Sequence, residues 1–183
     1  MKQYSQRVLV TTMVVVATAI ASAQAGDFRL TSPDVIEGQP ITAAQYSNVF
    51  GCNGANARPT LEWSGAPEGT KSYAVTFYDQ DAPTGSGFWH WVLTDISATA
   101  NGIAADADPV GSIEGNTDVG QPGYLGPCPP IGRKHKYVYT VHALDVNTLG
   151  VPEGATAALT GFYIFQHRLG KATLSTIAGP RDH

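Results

Sequence analysis

The sequence predicts a mainly β protein built from antiparallel strands, with few helices and one of them near the C-terminal end. Three observations lead there. Twenty glycines and twelve prolines among 183 residues cut the chain into short segments. Several segments are rich in aromatic and β-branched side chains, which suit a pleated, half-buried surface. Late in the chain a three- and four-residue apolar spacing breaks this pattern and marks a helix packed on a sheet.

The first 25 residues stand apart. Lys2 and Arg7 precede an apolar run from Val8 to Ile20, and small residues ending Ala23-Gln24-Ala25 follow. This is the three-part pattern of a secretory signal peptide, and its apolar run is shorter than the ~18 residues that span a bilayer. The expectation is a leader at 1–25 and a single domain at 26–183, periplasmic or secreted, with no stable membrane insertion after cleavage. Beyond the leader, nine basic residues stand against fifteen acidic ones. That balance repels phosphate backbones, so nucleic acid is not an expected partner and an anionic membrane is a poor one overall.

The elements follow in order. Pro59 to Trp63 reads as a short strand. Ser72 to Tyr78 and Phe88 to Ile96 read as long ones, paired across a turn that contains Pro83, Gly85 and Gly87. Alternation sets Phe88, His90, Val92 and Thr94 on one face and Trp89, Trp91 and Leu93 on the other, turning His90 away from its neighbouring tryptophans. Residues 101–123 are rich in Gly, Asp, Asn and Pro and read as a long loop, a feature usually functional or disordered. Tyr137 to Leu144 is apolar on both faces and is expected to be a central strand. From Ala155 to Leu169, the spacing of Ala158, Phe162, Phe165 and Leu169 predicts a helix that buries this stripe, with Gly170 as its stop.

Cys52 and Cys128 both lie beyond the leader and leave no odd thiol, so in an oxidising compartment they read as one disulfide. In the loop-entropy view such a bridge stabilises by about 4 to 5 kcal/mol, less any strain.

The polar residues that could carry chemistry cluster at strand ends. Asp79 ends a strand and precedes Asp81-Ala82-Pro83, where a carboxylate can orient a histidine, while Asp81 reads as a turn cap. His90 and His135 can attract an anion when protonated, and Tyr137, two residues beyond His135, can donate to one. A proline-stiffened segment, Gly126-Pro127-Cys128-Pro129-Pro130, stands beside them. His90, His135 and Asp79 could also hold a metal, yet no H-x-H or H-x-x-x-H unit joins them, so neither metal nor cofactor is expected. The chain has no G-x-S-x-G elbow, P-loop or H-E-x-x-H motif, so a binding protein is expected rather than an enzyme. A hydrolase using His90 and His135 as acid and base is the minor alternative.

Taken in order, Asp79-Gln80-Asp81-Ala82-Pro83, His90-Trp91, Gly123 to Pro130, His135 and Tyr137 resemble the phosphatidylethanolamine-binding protein family, in its bacterial Raf-kinase-inhibitor-like branch. The resemblance implies an antiparallel β-sandwich with a few short peripheral helices and a small pocket for phosphate or a phosphorylated headgroup. It implies Asp79, His90, Gly126, Cys128, His135 and Tyr137 as the ligand-binding positions. The branch name also suggests a protein-interaction inhibitor, for which the 101–123 loop is the expected contact with a protein partner. Three departures stand out: Gln80 in the turn, the Asn116 to Gly120 run at an expected pocket wall, and Ser175-Thr176-Ile177 where a Gly-x-Tyr ending is common.

Overall fold

The computed structural model describes residues 27–181, so the expected leader lies outside the described residues. Eight strands form two antiparallel sheets: β1 (Arg29–Thr31), β2 (Leu61–Ser64), β3 (Ser72–Asp79), β4 (Phe88–Ser97), β5 (Gly102–Ile103), β6 (Ile113–Glu114), β7 (His135–Leu144) and β8 (Arg168–Ala178). The larger sheet has the order β6-β4-β3-β7-β8, and the smaller has β1-β2-β5. As the apolar faces of Tyr137 to Leu144 require, β7 is internal, between β3 and β8.

The two sheets enclose the main core. Leu30, Leu61, Trp63 and Ile103 of the small sheet meet Tyr73, Val75, Phe77, Tyr139, Val141 and Leu174 of the large one. Phe77 stacks on Tyr139 with ring centroids 3.9 Å apart. The Tyr124 and Tyr139 hydroxyls bond at 2.9 Å, so the polar ends of these buried rings satisfy each other.

Strand β4 departs from simple alternation. Phe77 pairs with Trp91 while Tyr78 pairs with Trp89, which leaves His90 as an extra, bulged residue. The bulge turns His90 and Trp91 toward the same face: His90 lies 5.5 Å from the Phe77 ring, and Trp91 belongs to the same core. Strict alternation placed these two on opposite faces, because an inserted residue shifts everything on one side of it. Of the two tryptophans only Trp89 points the other way, with its ring 4.7 Å from that of Tyr78. A second shift near Asp95, whose φ is 56°, brings Ile96 back to the core.

The outer face of the large sheet carries the helix α1 (Ala157–His167), capped by Thr156, whose Oγ1 accepts from the Leu159 N–H. Its buried side chains are Ala157, Thr160 and Ile164. The stripe expected to pack on the sheet is instead turned outward, with Phe162 53% and Phe165 68% exposed. Gly161 explains the reversal: it sits against the Trp89 ring, so the helix approaches the sheet along its small-residue side. Gly170 is not a helix stop, since β8 begins at Arg168 directly after the helix and runs beside β7. The 101–123 segment is not one long loop either; it contributes β5 and β6 to the two sheets.

Candidate functional site

Where β3, β4 and β7 end together, their core-side residues face a cavity of about 220 Å³. Asp79 pairs with Tyr137 across β3 and β7 and with Phe88 across β3 and β4, so these side chains converge by register alone. His135 shares the Tyr137 face two residues away, and the bulge adds His90, 5.2 Å from the Tyr137 ring. Asp79, His90, His135 and Tyr137 all line the cavity, as do Gly126 and Cys128. The structure thus brings together all six residues that the sequence singled out.

The bonding within the site is directional. His135 Nδ1–H donates to Asp79 Oδ2 at 2.8 Å, and both side chains are almost fully buried. Asp79 Oδ1 accepts from the Asp81 N–H at 2.9 Å, and Asp81 Oδ2 in turn accepts from the Lys136 N–H at 2.7 Å. The two aspartates therefore have separate jobs: Asp79 orients an imidazole, and Asp81 staples the turn to β7. His90 Nδ1–H donates to the Leu125 carbonyl at 2.9 Å. Because a carboxylate and a carbonyl only accept, Nδ1 carries the proton in both rings and Nε2 is the atom each has left for the cavity.

Burial favours the neutral form of both groups. Desolvation lowers the His90 pKa below its usual value, only partly offset by the Leu125 carbonyl and the Asp79 charge. Burial and then the adjacent Asp79 carboxylate hold the Tyr137 phenol protonated far beyond neutral pH, so it remains a donor. Neutral imidazole at His90 and neutral phenol at Tyr137 leave the cavity without a committed positive charge of its own on those two side chains.

The wall opposite the strands is the Gly126 to Pro130 segment, held at several points. Asn56, at φ 53°, accepts from the Gly126 N–H at 2.6 Å and donates from Nδ2 to the Tyr124 carbonyl at 3.1 Å. Ser47 N–H donates to the Pro127 carbonyl at 3.0 Å. The Cys52–Cys128 disulfide is formed, with Cα atoms 5.9 Å apart. Arg181 donates to the carbonyls of Pro129 and Gly51. Gly126 is required here, since a Cβ would press on the Gln45 carbonyl and come within 2.9 Å of the Ser47 nitrogen.

Sequence reasoning missed Asn56, Phe50, which lines the cavity, and the Leu125 carbonyl. The expected disulfide was the available signal for the first two, because joining Cys52 to Cys128 brings the chain around residue 50 to the wall. The Asn116 to Gly120 run, expected as a pocket wall, does not line the cavity. It lies along the other side of β4, where Asp118 accepts from the Trp89 N–H. A larger hollow of about 390 Å³ lies between β4, β6 and residues 151–155, but its ionisable side chains, Glu114 and Glu153, are both carboxylates. Among the described residues no three His, Cys, Asp or Glu side chains are grouped to hold a metal.

Comparison with known proteins agrees with this architecture. The family model described as phosphatidylethanolamine-binding protein matches residues 31–178. YbcL of Escherichia coli (strain K12) is 40% identical over 176 residues, covering 90% of this chain and 96% of its own. YbhB of the same strain is 41% identical over 155 residues, covering 81% of this chain and 98% of its own. The crystal structure of E. coli YbcL, described as a new member of the mammalian PEBP family, superposes with a TM-score of 0.81 at 37% identity, over 84% of this chain and 99% of that one. A homologue from Chlamydia trachomatis gives a TM-score of 0.71 at 28% identity, over 82% of this chain and 95% of that one. On the match across 31–178 and the 40% identity to YbcL, this chain belongs to the phosphatidylethanolamine-binding protein family.

Proposed function

We propose that the protein is an exported binding protein for a small anion, with phosphate or a phosphorylated headgroup in the cavity formed by Asp79, His90, His135 and Tyr137. The observation that carries the reading is the pair of imidazoles, each anchored through Nδ1 and each with Nε2 left for the cavity. A phosphate placed there would meet two ring nitrogens and the Tyr137 hydroxyl in a rigid frame, which lowers the ordering cost of binding. Of the nine lysines and arginines beyond the leader, Arg181 is bonded to the wall at Pro129, and Arg133 and Lys134 follow the wall in the chain. The leader pattern and the formed disulfide support an oxidising compartment, periplasmic or extracellular.

Titration of inorganic phosphate and phosphoethanolamine into the wild type and the His90→Ala and His135→Ala variants tests the reading. Saturable binding that weakens at least about tenfold in each variant is expected, the loss of one charge-assisted bond. Undetectable binding by the wild type, or equal binding by all three proteins, would overturn it.

A second reading, contact with a protein partner through residues 101–123, has one observation in its favour: Val110 is 98% and Ile113 56% exposed within that segment. Because β5 and β6 belong to the sheets, deleting the segment would unfold them. Val110→Ser tests the contact without that cost, and undiminished recovery of a captured partner would exclude Val110 from it.

A further inference from the structure

The outer face of α1 is unusual for a surface helix. From Ala157 to His167 it has no Asp, Glu, Lys or Arg, and its outward arc presents Leu159, Phe162 and Phe165, each at least 40% exposed. Leu169, 43% exposed, extends the apolar surface into the start of β8. Surface helices in water normally place charges on this arc, and contiguous exposed aromatic surface marks an interaction site.

Two further observations identify the occupant. Cations border the apolar face: the Arg168 guanidinium lies 5.6 Å over the Phe165 ring, and Lys171 follows on the exposed edge of β8. Lys71 joins them, since its backbone N–H bonds to Leu144, the register partner of Arg168. Of the carboxylates at this end, Asp145 is paired with His167 and Asp27 with Arg29, while Glu68 remains exposed. The chain also enters the fold here. Phe28, the second described residue, lies 3.8 Å from the Cβ position of Gly170, next to Leu169, so residues 1–26 join the fold at the same end as the patch.

We infer that α1 is a membrane-docking face: Leu159, Phe162, Phe165 and Leu169 seat in the headgroup boundary of an anionic bilayer, while Arg168, Lys171 and Lys71 contact lipid phosphates. Aromatic and leucine side chains beside basic ones are the composition of an interfacial helix. Among the described residues, only at this end do exposed apolar side chains of a helix and bordering cations combine, and that pairing sets the docking orientation. The anion cavity lies on the opposite face of the large sheet from α1 and remains open to solvent in this orientation. This face therefore functions independently of whether the cavity binds phosphate.

The test is flotation of the full chain with vesicles of phosphatidylcholine alone or with one-fifth phosphatidylglycerol, for wild type, F162S/F165S and R168E/K171E. All three carry the same leader, so differences among them report the folded face. Expected results are preferential recovery of wild type with anionic vesicles and a drop of at least about tenfold for the double serine variant. R168E/K171E should lose most of the preference for anionic over neutral vesicles, at about fivefold per cation removed. Equal recovery of wild type and F162S/F165S, or an unchanged anionic preference in R168E/K171E, would overturn the inference. So would a wild-type dimer that becomes monomeric in F162S/F165S, since a second copy would then be what covers the face.

Discussion

Asn56 grips both ends of the Tyr124 to Gly126 segment, accepting from one backbone amide and donating to the carbonyl two residues earlier. A single side chain from a glycine-rich turn thus fixes the backbone that also positions His90 through the Leu125 carbonyl. Asn56→Ala leaves the Gly126 amide without its acceptor, and a loss of about 1 to 3 kcal/mol is expected. Chemical denaturation of both proteins measures it. An unchanged midpoint would show that the clamp is dispensable.

Asp79 has two bonded oxygens, so its removal orphans two donors at once. Asp79→Ala is expected to destabilise by at least about 2 kcal/mol, while Asp79→Asn, which retains one acceptor oxygen, should lose less. If the two variants unfold at the same urea concentration, orientation of His135 through hydrogen bonding is not what Asp79 contributes.

The two glycines at close approaches should respond in opposite ways. Gly126→Ala forces the backbone away from Gln45 and Ser47 and is expected to cost about 1 to 3 kcal/mol. At Gly161 the added methyl would make an ordinary contact with Trp89 at 3.4 Å. Gly161→Ala should therefore be neutral or stabilising by up to about 1 kcal/mol, the helix propensity difference. Thermal melts of both variants decide the matter, and a strongly destabilised Gly161→Ala would mean that the helix cannot yield at all.

Acid should weaken the fold through buried histidines. Desolvation, helped by Arg168 and Lys171, pushes the His142 pKa down to about 3, and His90 is shifted in the same direction. Both remain neutral in the folded protein while the unfolded chain takes up protons below about pH 6.5. Their contribution is therefore complete above that pH and is lost as the pH falls, toward about 3 for His142. The slope reaches at most about 1.4 kcal/mol per pH unit for each histidine. His142→Gln, which preserves a partner for Thr76 Oγ1, should flatten the dependence of stability on pH between 6 and 4. A slope identical to wild type would rule out His142 as its source.

The same burial gives the proposed anion site a proton signature. With His90 neutral near pH 7, an incoming phosphate would be met by a lone pair unless the ring takes up a proton. Phosphate binding should accordingly be accompanied by proton uptake, diminished in His90→Ala, when calorimetric titrations are repeated in buffers of different ionisation enthalpy. Identical heats in all buffers would contradict a charging imidazole.

The legible part of this fold was the part written in local pattern. Strands β3, β4 and β7 announce themselves through runs such as SYAVTFY and YVYTVHAL, and the register between them brings Asp79, Tyr137 and His135 together almost automatically. Strand β8 was hidden because it begins without a turn at the end of a helix, includes Gly170 and Lys171, and owes its form to ten-residue pairing with β7 rather than to its own composition. The bulge at His90 was equally silent, since one inserted residue leaves no trace in composition. In α1 the apolar periodicity was real but named the wrong face: the glycine side packs inward and the phenylalanines remain outside. At the site, side chains were foreseeable from sequence, whereas backbone partners such as the Leu125 carbonyl were not.

The tie between Arg181 and Pro129 also fixes an order of events. Gly132 N–H bonds to the Arg181 carbonyl while the Arg181 side chain reaches Pro129 and Gly51. The wall is thus fastened by a residue that follows every described strand in the chain, and β8 beside His135 is the last of those strands to be made. No nascent chain that stops short of Arg181 can hold a finished cavity, however early β3 and β4 pair. A chain threaded unfolded across a membrane would complete the cavity only once Arg181 had followed.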